Sequence, residues 1–488
     1  MADTRVVADR RLTDWISLGV LTSFVPRDAV DEAIAATGRG ARRSDVTIPP
    51  HVVAYFVMAL ALFAEDDYEA VARRLAGTLD DLDVTGPVWD PSSGGLTKGR
   101  QRLGAAPMAA LFSQVAAPVA DLDTVGAFRG PWRLMSIDGL EWDVAASKEN
   151  IAAFGLPAGR ADAPGVLPKV RAVTVSECAS HAAVLAALGP AGGAKVASEQ
   201  ALARQLYPRL ESGWLLLADR NFYSWADWCT AADTGAALLW RAKANLRPPP
   251  LRALPDGSYL TVLVNPKVTG AAREALLAAA RAGTPLDPAK ARYARLVEYD
   301  VPDREGDGKH EIIGLITTIC DPREATATAL AGAYQQRWEH ETGNRQLKTY
   351  LRGPGRVLRS KHPDTVYQEI WGYLLTHHAI SALTCQAATA AGIDPDRIKC
   401  KRTVRIIRDR VTDPAFPPDQ RRRTLDLIAA DITRPTRLNT RRERTYPRAV
   451  RRARHNQYPV KKPGQHGVRH NTPATIRLAN PLKSQVAA

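Results

Sequence analysis

The chain has 488 residues, 45% hydrophobic and 24% charged, with a formal net charge of +15; it can bury a sizeable core and fill roughly two to four domains. Its five cysteines (Cys178, Cys229, Cys320, Cys385 and Cys400) form no C-x-x-C pair, which argues against a disulfide framework or a thiolate zinc site and favours a reducing, cytoplasmic setting. The longest apolar run, Val52 to Ala64, is too short to span a bilayer, and MADTRVVADRRLTDW lacks the apolar core of a signal peptide, so a soluble protein with no membrane partner is expected.

In chain order, residues 1–125 read as a helical N-terminal region. LTDWISLGVL, AVDEAIAATG and HVVAYFVMALALFAEDDYEAVARRLAG carry apolar residues at helical spacing, broken by Gly and Pro. LTKGRQRLGAAPMAALFSQVAAPVA begins with Lys98, Arg100 and Arg102; this basic start suits either DNA contact or an ordinary amphipathic helix. The pattern changes after Gly130. WRLMSIDGLEWDV, VLPKVRAVTVSEC, AAVLAALG, GWLLLADRNFY and AALLWRAKAN read as strands, with SEQALARQLYPRL and SWADWCTAADTG as helices among them. Strands grouped first and then alternating with helices predict an α/β layer with a mixed sheet. Pro-rich NLRPPPLRALPDG, followed by SYLTVLV, ARLVEYDV and EIIGLITTI, reads as a β-rich insertion over 248–322. Long helical patterns return in ATALAGAYQQRWEHETGNRQLKTYL and TVYQEIWGYLLTHHAISALTCQAATAAG. The expected division is 1–125, a core from 126–247 and 323–395, the insertion, and a basic region from 396 to 488.

The charge is concentrated at that end. Residues 401–488 hold 22 Lys or Arg against 6 Asp or Glu, a composition that neutralises phosphates and gains from counterion release. A solvated tail, or one that binds any polyanion, has the same composition.

Three carboxylates stand out. Asp138 lies within a strand, on the face shared by Leu134 and Ser136, where burial is costly unless the group is paired or bound to metal. Asp219 ends the apolar strand WLLLAD, and taken singly each aspartate reads more readily as a turn or capping residue than as a ligand. In YQQRWEHETGNRQLK, a continuous α-helix would place Tyr334, Arg337, Glu341 and Lys348 in a sector of roughly 60°, with Arg345 beside it and Glu339 nearly opposite. One carboxylate framed by a phenol and cations suits a metal-bound phosphodiester; a salt-bridged surface helix has the same pattern.

That segment matches the Y-(2)-R-(3)-E-(6)-K signature and so resembles the DDE transposases of bacterial insertion sequences. Further matches are D-G with Asn150, Phe154 and Gly155 in DGLEWDVAASKENIAAFG, ADRNFYSW (Asn221 where the family usually has Gly), LRSKHPDTVYQEIWGYLLTHHAI, and HNQYPVKK with Lys461 and Lys462. The resemblance covers roughly residues 15 to 465. It implies a ribonuclease-H-like core with Asp138, Asp219 and Glu341 as catalytic ligands of Mg²⁺, for which Mn²⁺ would substitute. It also implies Tyr334, Arg337 and Lys348 on phosphates. The activity implied is cleavage at the element's ends and joining of the 3′-hydroxyls to target DNA. Its partners would be double-stranded DNA (terminal inverted repeats and target) and a second protomer, in a cytoplasmic, nucleoid-associated protein. Some relatives pass through a DNA hairpin and place an insertion aromatic against a flipped base; residues 248–322 hold Tyr259, Tyr293 and Tyr299 but no Trp. A nuclease that cuts without joining, or a domesticated DNA-binding protein, are the competing readings.

Overall fold

Local sequence signals set many element starts. Pro50 opens a helix at its first position, and Asp67, Ser92, Ser147, Ser198, Ser224 and Thr326 cap others, each side chain accepting a backbone N–H from the first turn. The computed structural model describes residues 18–41, 47–77, 89–157, 166–193, 197–243, 245–301, 311–411, 418–439 and 477–478. The helices are α1 (Arg27–Ala36), α2 (Pro50–Leu62), α3 (Tyr68–Ala76), α4 (Ser93–Leu103), α5 (Ala106–Val115), α6 (Lys148–Phe154), α7 (Glu199–Ala203), α8 (Trp225–Ala232), α9 (Gly270–Arg281), α10 (Ala327–Gln335), α11 (Trp338–Arg345), α12 (Pro363–Ala390), α13 (Cys400–Arg410) and α14 (Pro418–Ile432). The strands are β1 (Phe128–Arg129), β2 (Trp132–Asp143), β3 (Lys169–Glu177), β4 (Ala183–Pro190), β5 (Trp214–Ala218), β6 (Ala237–Arg241), β7 (Pro250–Ala253), β8 (Tyr259–Val264), β9 (Ala291–Val301), β10 (Glu311–Thr317) and β11 (Arg477–Leu478). The chain is α/β with mixed strand pairing.

Two compact units take their described residues from Met1–Phe128, Ser136–Leu206 and Trp338–Asn439, and from Arg129–Met135, Tyr207–Arg337 and Thr440–Ala488. In the first, β3 lies between β2 and β4 and pairs antiparallel with β4 from Val170↔Pro190 to Ser176↔Ala183. Its core runs through α2, apolar on every side and buried from His51 to Leu62, and through α12. These two helices approach closely at Gly372, where a Cβ would lie 2.7 Å from Val57 Cγ1 and 2.9 Å from the Val57 carbonyl oxygen. Thr376 Oγ1 donates to the Met58 carbonyl there (3.0 Å).

The N-terminal helices do not close a core of their own. They share one cluster with α12, with Val404 and Ile407 of α13, and with Ile428 and Ile432 of α14. The start of the basic region is thus part of this core.

In the second unit β5 and β6 run parallel, Leu215 opposite Ala237, while β10 is antiparallel to β6 and β9, β8 antiparallel to β9, and β7 antiparallel to β8. β11 adds to β9. Residues 248–322 extend the sheet of β6 and include the 12-residue helix α9, which the β-rich reading missed.

Candidate active site

Side chains of β2 alternate, so Ser136, Asp138, Leu140 and Trp142 share a face. Two contacts fasten the helical segment that carries Glu341 along it. His340, 2% exposed, has Nδ1 2.9 Å from Ser136 Oγ and 3.1 Å from the Ser136 carbonyl, and Nε2 2.9 Å from Thr174 Oγ1 on β3. Further along, the Arg352 guanidinium lies 5.1 Å from the centre of the Trp142 ring. Asp138 sits between these anchors on the strand, and Glu341 between them on the helical segment. Both carboxylates are half-buried. Asp138 Oδ1 accepts the Gly139 N–H (2.8 Å). On the opposite face, a Cβ at Gly139 would stand 2.5 Å from Glu199 Oε1, the mobile end of that side chain.

Glu339, expected to point away from Glu341, pairs with His181. His181 Nε2 lies 3.2 Å from Glu339 and 3.1 Å from Asp396, and its Nδ1 is 2.9 Å from Gln346 Nε2. Burial alone would lower this imidazole's pKa, but the hydrogen bonds and charges of Asp396 and Glu339 outweigh it and raise the value to about 10. The three ligand atoms lie within 4.8 Å of one another. A cation could enter only by displacing a tightly held proton, so the group reads first as a buried ion-pair cluster.

In the second unit, Asp219 follows β5 and caps the turn Arg220–Phe222, its Oδ1 accepting the Arg220 N–H (2.6 Å). Tyr334 on α10 reaches the same strand end, with its Oη donating to the Ala218 carbonyl (3.3 Å). Burial first, and then the charge of Asp219, keep the phenol protonated. Tyr334 is 8% exposed, and its hydroxyl faces the strand end.

The single helix assumed from 334 to 348 is also corrected. It tightens to bonds closed three residues back at Gln336 and Arg337, continues as α11, and turns to π-winding over Gln346–Leu351. A uniform angle per residue therefore cannot be carried from Tyr334 or Glu341 to Lys348. Arg337 is half-buried and Arg345 exposed. Lys348 is partly buried, which lowers its ammonium pKa, as does the neighbouring charge of Arg352.

Arg100 is withdrawn as a DNA contact. It is 2% exposed, and its guanidinium donates to Gln368 Oε1 (2.8 Å), Ser360 Oγ (2.9 Å), the Thr365 carbonyl (3.0 Å) and the Tyr68 hydroxyl. Glu369 accepts from Ser360, and Asn150 donates to the Ser360 carbonyl (3.0 Å). Lys98 and Arg102 are exposed. Lys461 and Lys462 lie outside the described residues.

Sequence reasoning missed His340, Thr174 and His181. One signal was present: WEHETGNR has no apolar stripe, so any buried side of that helix had to be small or polar, and its buried residues are His340 and Gly343.

Residues 15–113 match the family described as Insertion element 4 transposase N-terminal. Over 442 residues the chain is 26% identical to the transposase InsG for insertion sequence element IS4 of Escherichia coli (strain K12), spanning 88% of this chain and 91% of that protein. Among solved structures, the piggyBac transposase synaptic complex with hairpin DNA is similar over 85% of this chain and 84% of that one. The identity is 12% and the TM-score 0.40, too low to establish a common fold.

Proposed function

We infer that the chain is a DNA transposase of the insertion element 4 type, from the similarity that runs through 88% of its length and the family match over residues 15–113. It is an enzyme of DNA transposition. The finer reading is that it cleaves the ends of its element and joins the freed 3′-hydroxyls to target DNA, a sequence of phosphodiester hydrolysis and transesterification. The observation that carries the chemistry is the anchoring of Glu341's helical segment along the face of β2 that bears Asp138.

Asp138, Asp219 and Glu341 each offer carboxylate oxygens from half-buried positions, the donor chemistry that a hard divalent cation takes. These three residues would hold Mg²⁺, with Mn²⁺ able to substitute; a bound pair of such ions supplies a nucleophile at neutral pH and stabilises charge on the attacking and leaving oxygens. The chain's own groups do the positioning. Tyr334 fixes the strand end at Ala218 beside Asp219, and His340 fixes the helix beside Glu341. Arg337, Arg345 and Lys348 would bind DNA phosphates. A phosphate docked near Lys348 favours its charged form, opposing the effect of burial.

The strand order supports a ribonuclease-H-like core, with β3 between β2 and β4 and with β5 and β6 parallel. Residues 1–125 would read the element's end, and the basic region beyond 396 would add DNA contacts or the dimer interface. Joining two ends to one target calls for a homodimer on paired inverted repeats.

The test is single-turnover cleavage and joining of a labelled element end with Mg²⁺. Asp138→Asn and Glu341→Gln should each lower cleavage on the order of a thousandfold or more while end binding persists, and Glu339→Gln should do much less. Nicks without joined products in the unaltered protein would leave a nuclease; full activity in Glu341→Gln would overturn the site.

A further inference from the structure

We propose that His340 is a positioning residue for Glu341: its imidazole, clamped between β2 and β3, sets the height and rotation of the helix that presents the carboxylate. The inference rests on the reading of Glu341 as an active-site ligand.

α11 has little apolar grip. Its buried residues are His340 and Gly343, and Gly343 lies against His181, where a Cβ would make an ordinary contact of 3.4 Å with His181 Cβ. Apolar packing alone would leave such a helix free to slide or roll by fractions of a turn. His340 removes that freedom with directional bonds to two strands. One set of protons satisfies every contact. The Ser136 hydroxyl donates to the Ser176 carbonyl (3.4 Å), the Nδ1–H donates toward the Ser136 carbonyl and hydroxyl oxygens, and the Thr174 hydroxyl donates to Nε2. The ring is then neutral, buried and fully used, which is the condition under which a buried polar network specifies one arrangement.

Leucine would fill similar space but leave the buried Thr174 hydroxyl without its ring partner, so folding draws on the imidazole as well as register does. What the imidazole adds beyond folding is register. Ser136 lies two residues before Asp138 on the same strand face, and His340 directly precedes Glu341. Fixing one pair therefore fixes the separation of the other. Misplacement of a reacting group by about 1 Å can cost on the order of a hundredfold in rate.

The experiment uses the full-length protein with its DNA end and compares His340→Leu, Thr174→Val and Thr174→Ser. Three quantities are read: the single-turnover cleavage rate, the midpoint of Mn²⁺ binding by calorimetry, and the unfolding temperature. Thr174→Val keeps the volume and deletes the donor to Nε2; Thr174→Ser restores it. Expected are a rate loss of about ten- to a hundredfold and a raised Mn²⁺ midpoint in His340→Leu and Thr174→Val. Thr174→Ser should return both near the original values, with DNA-end affinity unchanged throughout. If His340→Leu does not fold, the Thr174 pair decides. Original rates and Mn²⁺ midpoints in folded variants would overturn the proposal, as would losses that follow the unfolding temperature with no recovery in Thr174→Ser. Glu341→Gln separates the two levels. If it too keeps cleavage and Mn²⁺ affinity, the active-site reading itself fails; if it loses both while the other variants lose neither, only the role of His340 falls.

Discussion

The Arg100 and His340 networks are both buried in the first unit, and both spend every nitrogen of the central side chain on a named partner. They differ in charge and in what they join. Arg100 brings a full positive charge into the core, with Glu369 close by through Ser360, and ties α4 to α12. His340 can meet all its partners as a neutral ring, and ties the helix of Glu341 to two strands. The charged network holds the N-terminal helices in the shared core, and the neutral one holds a carboxylate in place. Burial of a polar group therefore says little about its task until the elements it connects are known.

Arg100→Ala should give the largest effect on the folding side of this contrast. Removing one member of a buried charged network costs about 3–5 kcal/mol, to be measured by urea denaturation, while the cleavage rate per folded molecule stays the same. Arg100→Lys should recover little, because an ammonium cannot reach partners spread around a guanidinium. A stability change within about 1 kcal/mol together with weakened DNA binding would break the comparison and return Arg100 to the DNA surface.

The His181 cluster combines the two cases, being charged like the first network and attached to α11 like the second. Its folded pKa is raised to about 10 from an ordinary 6.5. The stabilisation is thus complete below about pH 6.5 and is lost as pH rises through about 10. The unfolding temperature should fall across that interval, and Asp396→Asn should flatten the decline. A pH-independent unfolding temperature in the unaltered protein would mean that the cluster is not ion-paired. The smallest effects belong to Lys98→Gln and Arg102→Gln, two exposed neighbours of Arg100. Each should change stability by no more than about 0.5 kcal/mol, and each that touches a phosphate should lower the slope of log affinity against log salt by about one. Unchanged slopes in both would remove α4 from the DNA surface.

The strands β2, β5 and β6 were legible because short apolar runs bounded by turns have few other ways to be buried. α9 was not, although GAAREALLAAAR is amphipathic at helical spacing; the proline-rich and β-branched runs around it dominated the reading. Asp138, Asp219 and Glu341 could be singled out from their settings in strand, strand end and helix. Their supports could not, since Thr174 is 166 positions from His340 and Gln368 is 268 from Arg100. Nothing local distinguishes a basic residue destined for DNA from one destined for a core. The tightening at Gln336 and Arg337 was equally unreadable, because QQR contains neither glycine nor proline.

The winding over Gln346–Leu351 changes how the distance between Glu341 and Lys348 should be counted. Arg352 donates to the Leu347 carbonyl (3.1 Å), a ring closed five residues back, not four, and such a ring holds one residue more than its α counterpart. A helix can absorb an inserted residue in this way without turning its two ends relative to each other. Loss of one residue from the stretch would let the ladder revert to ordinary winding, with α11 still facing Ser136 and Arg352 still over Trp142. Two of the six residues between glutamate and lysine, Gln346 and Leu347, belong to that stretch, so a loss there would shorten the gap without turning α11 away from β2.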